Sequence, residues 1–150
     1  MDYTNSRIQK LRLYLFDVIR ELKTDSKYQI NANMLSSDID NYSLDKVPTS
    51  TTIEKWITGI EIHRDVFSFR SRFAYSQDVV NNLKNVDFFE DFEQKIALRN
   101  KQGILPEIVG IQSIKCLNSA TMINANTNNA TFEIQIQIEY QIKYENEISL

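Results

Sequence analysis

The chain has 150 residues, 42% hydrophobic and 25% charged, which suits one globular domain and excludes disorder as its overall state. Net charge is −3, and this acidic balance argues against tight nucleic-acid binding, which needs clustered Lys and Arg. One cysteine, Cys116, excludes an internal disulfide, and one Cys with one His excludes the common His/Cys zinc sites.

The N-terminus is polar and then amphipathic, without the apolar block of a signal peptide, so folding in the cytoplasm is expected. No apolar run has the length of a membrane span. Ser6 to Lys23 reads as a helix. Ile8, Leu11, Leu15, Val18 and Leu22 recur every three or four residues, and Leu13, Phe16 and Ile19 widen the stripe. Asn5 or Ser6 can cap its start.

Residues 24–52 are polar and irregular, with Tyr28-Gln29-Ile30 and Tyr42-Ser43-Leu44 as short strand pieces. Asp38, Asp40 and Asp45 invite a calcium reading. Their spacing lacks the loop glycine and closing glutamate of an EF-hand, so no metal is expected. Ile53 to Tyr75 reads as a hairpin turning at Thr58-Gly59. Ile60, Ile62 and Val66 share one parity, and Phe67, Phe69 and Phe73 the other, which predicts a bulge or bend near Val66. Arg64, Arg70 and Arg72 stand among these aromatics. Interleaved bases and aromatics can bind single strands, but here they fall on opposite parities, which predicts a buried Phe face and a solvated Arg face.

A short helix is expected over Ser76 to Lys84 and a second over Asp87 to Gln102, the latter burying Phe88, Phe89, Phe92 and Ile96. Glu90, Asp91 and Glu93 suit the dipole near its start and have no histidine or nucleophile beside them in the sequence. Gly103 fits the helix end, with Pro106 as a stop. Ile108 to Ile123 is a strand candidate anchored by Ile111, Ile114 and Leu117. The polar turn Asn124 to Asn129 then joins it to the final strand as a hairpin.

That final strand, Phe132 to Tyr144, is the clearest signal in the chain. Phe132, Ile134, Ile136, Ile138, Tyr140, Ile142 and Tyr144 alternate with Glu133, Gln135, Gln137, Glu139, Gln141 and Lys143. A period of two puts one apolar face opposite one polar face, which no helix can do. The fold class predicted is α+β: a long-stranded, mostly antiparallel sheet packed by an N-terminal helix and a central helix pair, in one domain over 1–150. A helix before long curved strands could also close around a pocket as a ligand-binding or isomerase-like cone, with His63 and Asp65 as its acid/base pair.

Several phrases follow one another in a familiar order. Tyr42-Ser43-Leu44-Asp45-Lys46-Val47-Pro48 precedes Trp56-Ile57-Thr58-Gly59. Phe67-Ser68-Phe69-Arg70-Ser71-Arg72, the Tyr75 region with Asp78, and Phe88-Phe89-Glu90-Asp91-Phe92 come next. Arg99-Asn100-Lys101-Gln102-Gly103-Ile104-Leu105-Pro106 precedes Ala130-Thr131-Phe132-Glu133-Ile134-Gln135 and Tyr140. The ordered set resembles the tail-terminator or "minor capsid" proteins of long-tailed phages and phage-tail-like particles of low-GC Gram-positive bacteria. Leu44 stands where that pattern often has Ile, and Phe132 where it often has Tyr.

The resemblance implies a structural protein without catalytic, cofactor or metal residues. It implies a ring, commonly six-fold, that caps the head-proximal end of the tail tube and offers a surface to neck or head-completion proteins. The implied partners are therefore copies of the chain itself, the tail-tube protein and a neck protein, with no membrane and no specific nucleic acid. The chain would be made in the bacterial host's cytoplasm and built into the tail. Another head–tail joining or tail-tube role is the alternative. The candidate interface residues are Tyr42, Asp45, Trp56, Arg64, Arg70, Arg72, Asn126 and Asn128.

Overall fold

The computed structural model describes residues 6–23, 42–48, 52–74, 79–125 and 129–144, with side chains except at 52, 72–74, 79–86, 124–125 and 129–130. The Tyr28–Ile30 strand piece, Asp38, Asp40, the Ser76 cap, Asn126 and Asn128 lie outside these residues. The described elements run α1 (Arg7–Lys23), β1 (Tyr42–Val47), β2 (Thr52–Lys55), β3 (Ile60–Ala74), α2 (Val79–Gln102), β4 (Ile111–Cys116), β5 (Thr121–Ala125) and β6 (Asn129–Lys143). They form the expected α+β fold.

Two 15-residue strands are its spine. β3 and β6 pair antiparallel without a register shift from Ile60–Lys143 to Ala74–Asn129. β1 and β2 line successive stretches of the outer side of β3, and β4 and β5 do the same for β6. The bulge expected near Val66 is absent; the nearest shift lies on β2, between Thr52 and Glu54. The mixed parity has another cause. In mid-strand β3 is buried on both faces, so Asp65, Val66, Phe67, Ser68 and Phe69 are all buried in succession. A strand central in a sheet has partners on both sides, and a small outward residue such as Val66 sits between Val47 and Gln137 in the register.

Phe67, Phe69, Phe132, Ile134, Ile136, Ile138 and Tyr140 share the inner face. They pack against Leu11, Leu15, Val18, Ile19 and Leu22 of α1 and Phe88, Phe89, Phe92 and Ile96 of α2. A train of rings crosses this core: Phe16 on Tyr42, Tyr42 on Phe69, Phe69 on Phe92, then Phe88, Phe89 and Phe132. The α1 stripe is shifted from that expected. Tyr14 is buried, whereas Ile8 and Leu13 are exposed. Tyr14 can enter because its hydroxyl donates to the Ile104 carbonyl at 2.7 Å. Ser6 caps α1 as expected, its Oγ accepting the Gln9 N–H at 3.3 Å.

The expected helix pair is a single helix of 24 residues. No Gly or Pro interrupts the segment between the two expected helices, and Phe88, Phe89, Phe92 and Ile96 pack on the core. α2 ends as expected at Gly103, with φ +75° and the Ile104 N–H returning to the Arg99 carbonyl at 2.9 Å. The strand expected over Ile108 to Ile123 is two strands, β4 and β5, and Leu117 between them is exposed rather than an anchor. There the Leu117 N–H still reaches the Gln135 carbonyl at 2.8 Å, and Asn118 Oδ1 accepts the Gln135 N–H at 2.9 Å.

Candidate functional site

The Arg99–Pro106 phrase turns out to be a staple between layers. Arg99 is buried, ion-paired with Glu21 of α1, and lies over the Tyr14 ring at 5.3 Å. Lys95 also pairs with Glu21, at 2.8 Å, and together these cations hold the Glu21 carboxyl below its ordinary range, the Lys95 bond first. Asn100 Oδ1 accepts the Ile114 N–H of β4 at 2.9 Å, so α2 satisfies part of an edge strand. Every side chain of the phrase with a resolved partner therefore serves the fold.

His63 and Asp65 do share the inner face, where it turns polar near the Ile60–Lys143 end of the sheet. Asp65 is only 1% exposed. Its Oδ2 accepts Arg7 Nε at 2.9 Å, its Oδ1 accepts the Tyr140 hydroxyl at 3.1 Å, and Lys46 Nζ lies 3.5 Å from Oδ1. His63 turns away to Glu61, 2.8 Å from Nε2, and stacks on Tyr140. Arg7 in turn covers the Tyr140 ring at 4.5 Å. Both carboxylate oxygens are thus committed to one cluster that fastens the start of α1 to β3 and β6. A general base must reach substrate, and Asp65 is buried with both oxygens already accepting within the cluster. Cys116, half-buried, has its thiol pushed up to about 12, mainly by burial and then by Glu93, so it stays protonated and unreactive. Among the described residues no group of three His, Cys, Asp or Glu side chains is placed to hold a metal. No described helix is long and apolar enough to cross a membrane.

The candidate interface residues separate into three groups. Tyr42 is partly buried against the core: its ring stacks on Phe69 and meets Phe16 edge-on, and its hydroxyl is buried without a partner, which pushes its pKa up. Asp45, Arg64 and Arg70 lie on the outer sheet face, as does the backbone position of Arg72. Arg70 donates to Glu133 at 2.8 Å, and Ser68 donates to the same oxygen at 2.8 Å. Those two bonds hold Glu133 below the usual carboxylate range. Arg64 stands opposite Glu139, yet its Nε is buried and unpartnered, and Glu139 Oε1 accepts from Gln137. No described helix covers this face. Trp56 forms the third group. It is half exposed where the β2–β3 turn leaves the sheet, closed by its N–H to the Ile60 carbonyl at 2.8 Å.

Sequence reasoning missed what surrounds Trp56. Ile57 is fully exposed beside it, and Tyr144, expected on the inner face, is exposed just past β6 with its N–H on the Gly59 carbonyl at 3.0 Å. On the far side of β6, Val109 is 95% exposed. One end of the sheet therefore presents Trp56, Ile57, Tyr144 and Val109 to solvent. Beside Val109 a cleft of about 590 Å³ opens over Tyr140 and Ile142, flanked by Arg7, Lys10 and Lys143. Periodicity could not reveal this, because apolar residues in turns carry no repeat. No family model matches the chain, and no characterised protein matches it in sequence.

Proposed function

We propose that the chain is a structural subunit of a phage-type tail: a ring-forming cap that ends tube growth at the head-proximal end and presents a joining surface to neck proteins. The observation that carries this reading is the apolar end of the sheet. Trp56, Ile57, Val109 and Tyr144 stand exposed together there, on turns held by backbone hydrogen bonds to β3 and β6. Clustered exposed apolar residues mark surfaces that another molecule covers. The ordered phrases resembling tail terminators favour a copy of the chain, the tail-tube protein or a neck protein as that molecule. The outer face carries the Arg70–Glu133–Ser68 network, whose half-exposed Arg70 offers a second, polar surface.

Capping then follows from asymmetry. A subunit that copies the tube's docking surface on one side, and lacks it on the other, binds a growing end and stops a heterologous, open-ended assembly. The test is to add the purified chain to the matching tail-tube protein during polymerisation and image the products. Density at one tube end and shorter tubes are expected. Tubes of unchanged length under a saturating excess would refute the cap, and incorporation along the tube would move the chain to the tube-component role.

A further inference from the structure

The turn carrying Val109 is built to hold that side chain out. Pro106 and Ile108 are buried, the Ile108 N–H reaches the Pro106 carbonyl at 2.8 Å, and the Ile111 N–H reaches the Ile108 carbonyl at 3.1 Å. Gly110 has φ +78° and lies against β6 so closely that a Cβ there would stand 2.2 Å from the Gln141 carbonyl oxygen. The Gln141 N–H completes the clamp on the Gly110 carbonyl at 2.8 Å. A fully exposed aliphatic side chain on a turn this constrained is a knob whose ordering has already been met by the fold, so binding it costs little further entropy. Lys10 and Lys143 flank it and make no ion pair with a described residue; Arg7 lies deeper, and among the described residues lining the cleft Glu107 is the one carboxylate.

A matching hole lies at the other end of the molecule. Phe89, Ala120 and Phe132 floor a dimple of about 90 Å³, rimmed by Glu90, Glu93 and Ser119. An apolar cavity of about 150 Å³ holds benzene, so this smaller one suits a branched aliphatic side chain rather than a ring. Phe132 is about 36 Å from Lys143 along β6, at roughly 3.3 Å per residue. Knob and hole are therefore too far apart to meet within one chain. The Glu93 carboxyl is pushed up, first by burial and then by the charge of Glu90, a repulsion that an incoming cation would relieve.

We propose that the Val109 knob of one copy enters the Phe89–Phe132 dimple of a second copy, head to tail, with Lys10 and Lys143 meeting Glu90 and Glu93. The occupant is a second copy because shape and charge complement each other at opposite ends of the same molecule. Such a contact is heterologous and propagates into a ring, or into a filament if the rotation does not close. This rests on the ring reading above and names its interface.

The test uses the full chain carrying Val109→Cys and Ser119→Cys, alone and together, oxidised mildly at high protein concentration. A disulfide needs Cβ atoms roughly 3.5–4.5 Å apart, so it reports this contact and few others. The double variant should give a ladder in steps of 17.6 kDa, while each single variant and the parent chain, with its half-buried Cys116, should stay monomeric. Lys10→Glu should reduce ladder formation about tenfold, and adding Glu90→Lys should restore it. No ladder, or dimers from Val109→Cys alone, would overturn the contact. Negative-stain imaging separates the two proposals. Rings of the unmodified chain without the cross-link keep the cap and refute this interface. A cross-linked open filament keeps the interface and counts against the cap.

Discussion

Gly103 and Gly110 hold nearly the same backbone conformation, φ +75° and +78°, for different reasons. At Gly103 nothing lies within 4 Å of where a Cβ would be, and only the left-handed φ of the helix end favours glycine. At Gly110 the β6 backbone occupies that space. Gly103→Ala should therefore cost about 1 kcal/mol, the usual penalty for a side chain in this region. Gly110→Ala should cost at least about 2–3 kcal/mol, since the turn or β6 must move as well. Urea midpoints of the two variants check the difference, and equal losses would mean that the Val109 turn is not clamped to β6. In the sequence, Gly103 was readable as a helix end from its place between a helix pattern and Pro106. Gly110 was not readable, because what it avoids is a strand 31 positions later.

At the scale of elements, α2 shows how packing overrides local preference. Its asparagines disfavour helix, yet Phe88, Phe89, Phe92 and Ile96 give it one apolar face aimed at β3, β6 and α1. Phe92 is fully buried, stacked between Phe69 and Phe88, whereas Leu98 on the same helix is half exposed. Phe92→Ala should lose about 3–5 kcal/mol from transfer and cavity terms together. Leu98→Ala should lose about 0.5 kcal/mol or less, as a surface change. Chemical denaturation of both variants measures the gap. A small loss at Phe92 would mean that the train of rings closes over the cavity.

For the molecule as a whole, the buried cluster where α1 meets the sheet contributes to an alkaline limit, alongside the buried Tyr14 and Tyr42 phenols. The Tyr140 phenol is pushed up to about 12, first by burial and then by the Asp65 carboxylate it donates to. Its unfolded value is about 10. A group whose pKa is higher in the folded state stabilises the fold fully below the unfolded pKa and loses that contribution as pH rises through the folded one. Stability should accordingly fall from about pH 10 to about pH 12. Tyr140→Phe should be less stable at neutral pH, through the lost bond to Asp65, and should lose less stability across that alkaline window. Unfolding series at several pH values test this; parallel slopes for both proteins would place the alkaline loss elsewhere.

The sequence by itself determined the fold class, the long two-faced strand β6, the hairpin turning at Gly59, the cap of α1 and the end of α2. Each rests on a period or a backbone constraint carried within a few neighbouring residues. Only the tertiary structure decided that the Tyr42 ring stacks on Phe69 at the core's edge, that Asp65 is locked by Arg7, Lys46 and Tyr140, and that α2 is one helix. It alone also gathered Trp56, Ile57, Val109 and Tyr144 at one end and set the Phe89–Phe132 dimple at the other. These depend on side chains from different elements meeting across the sheet, and nothing in the spacing of a single element encodes which distant residue will stand opposite.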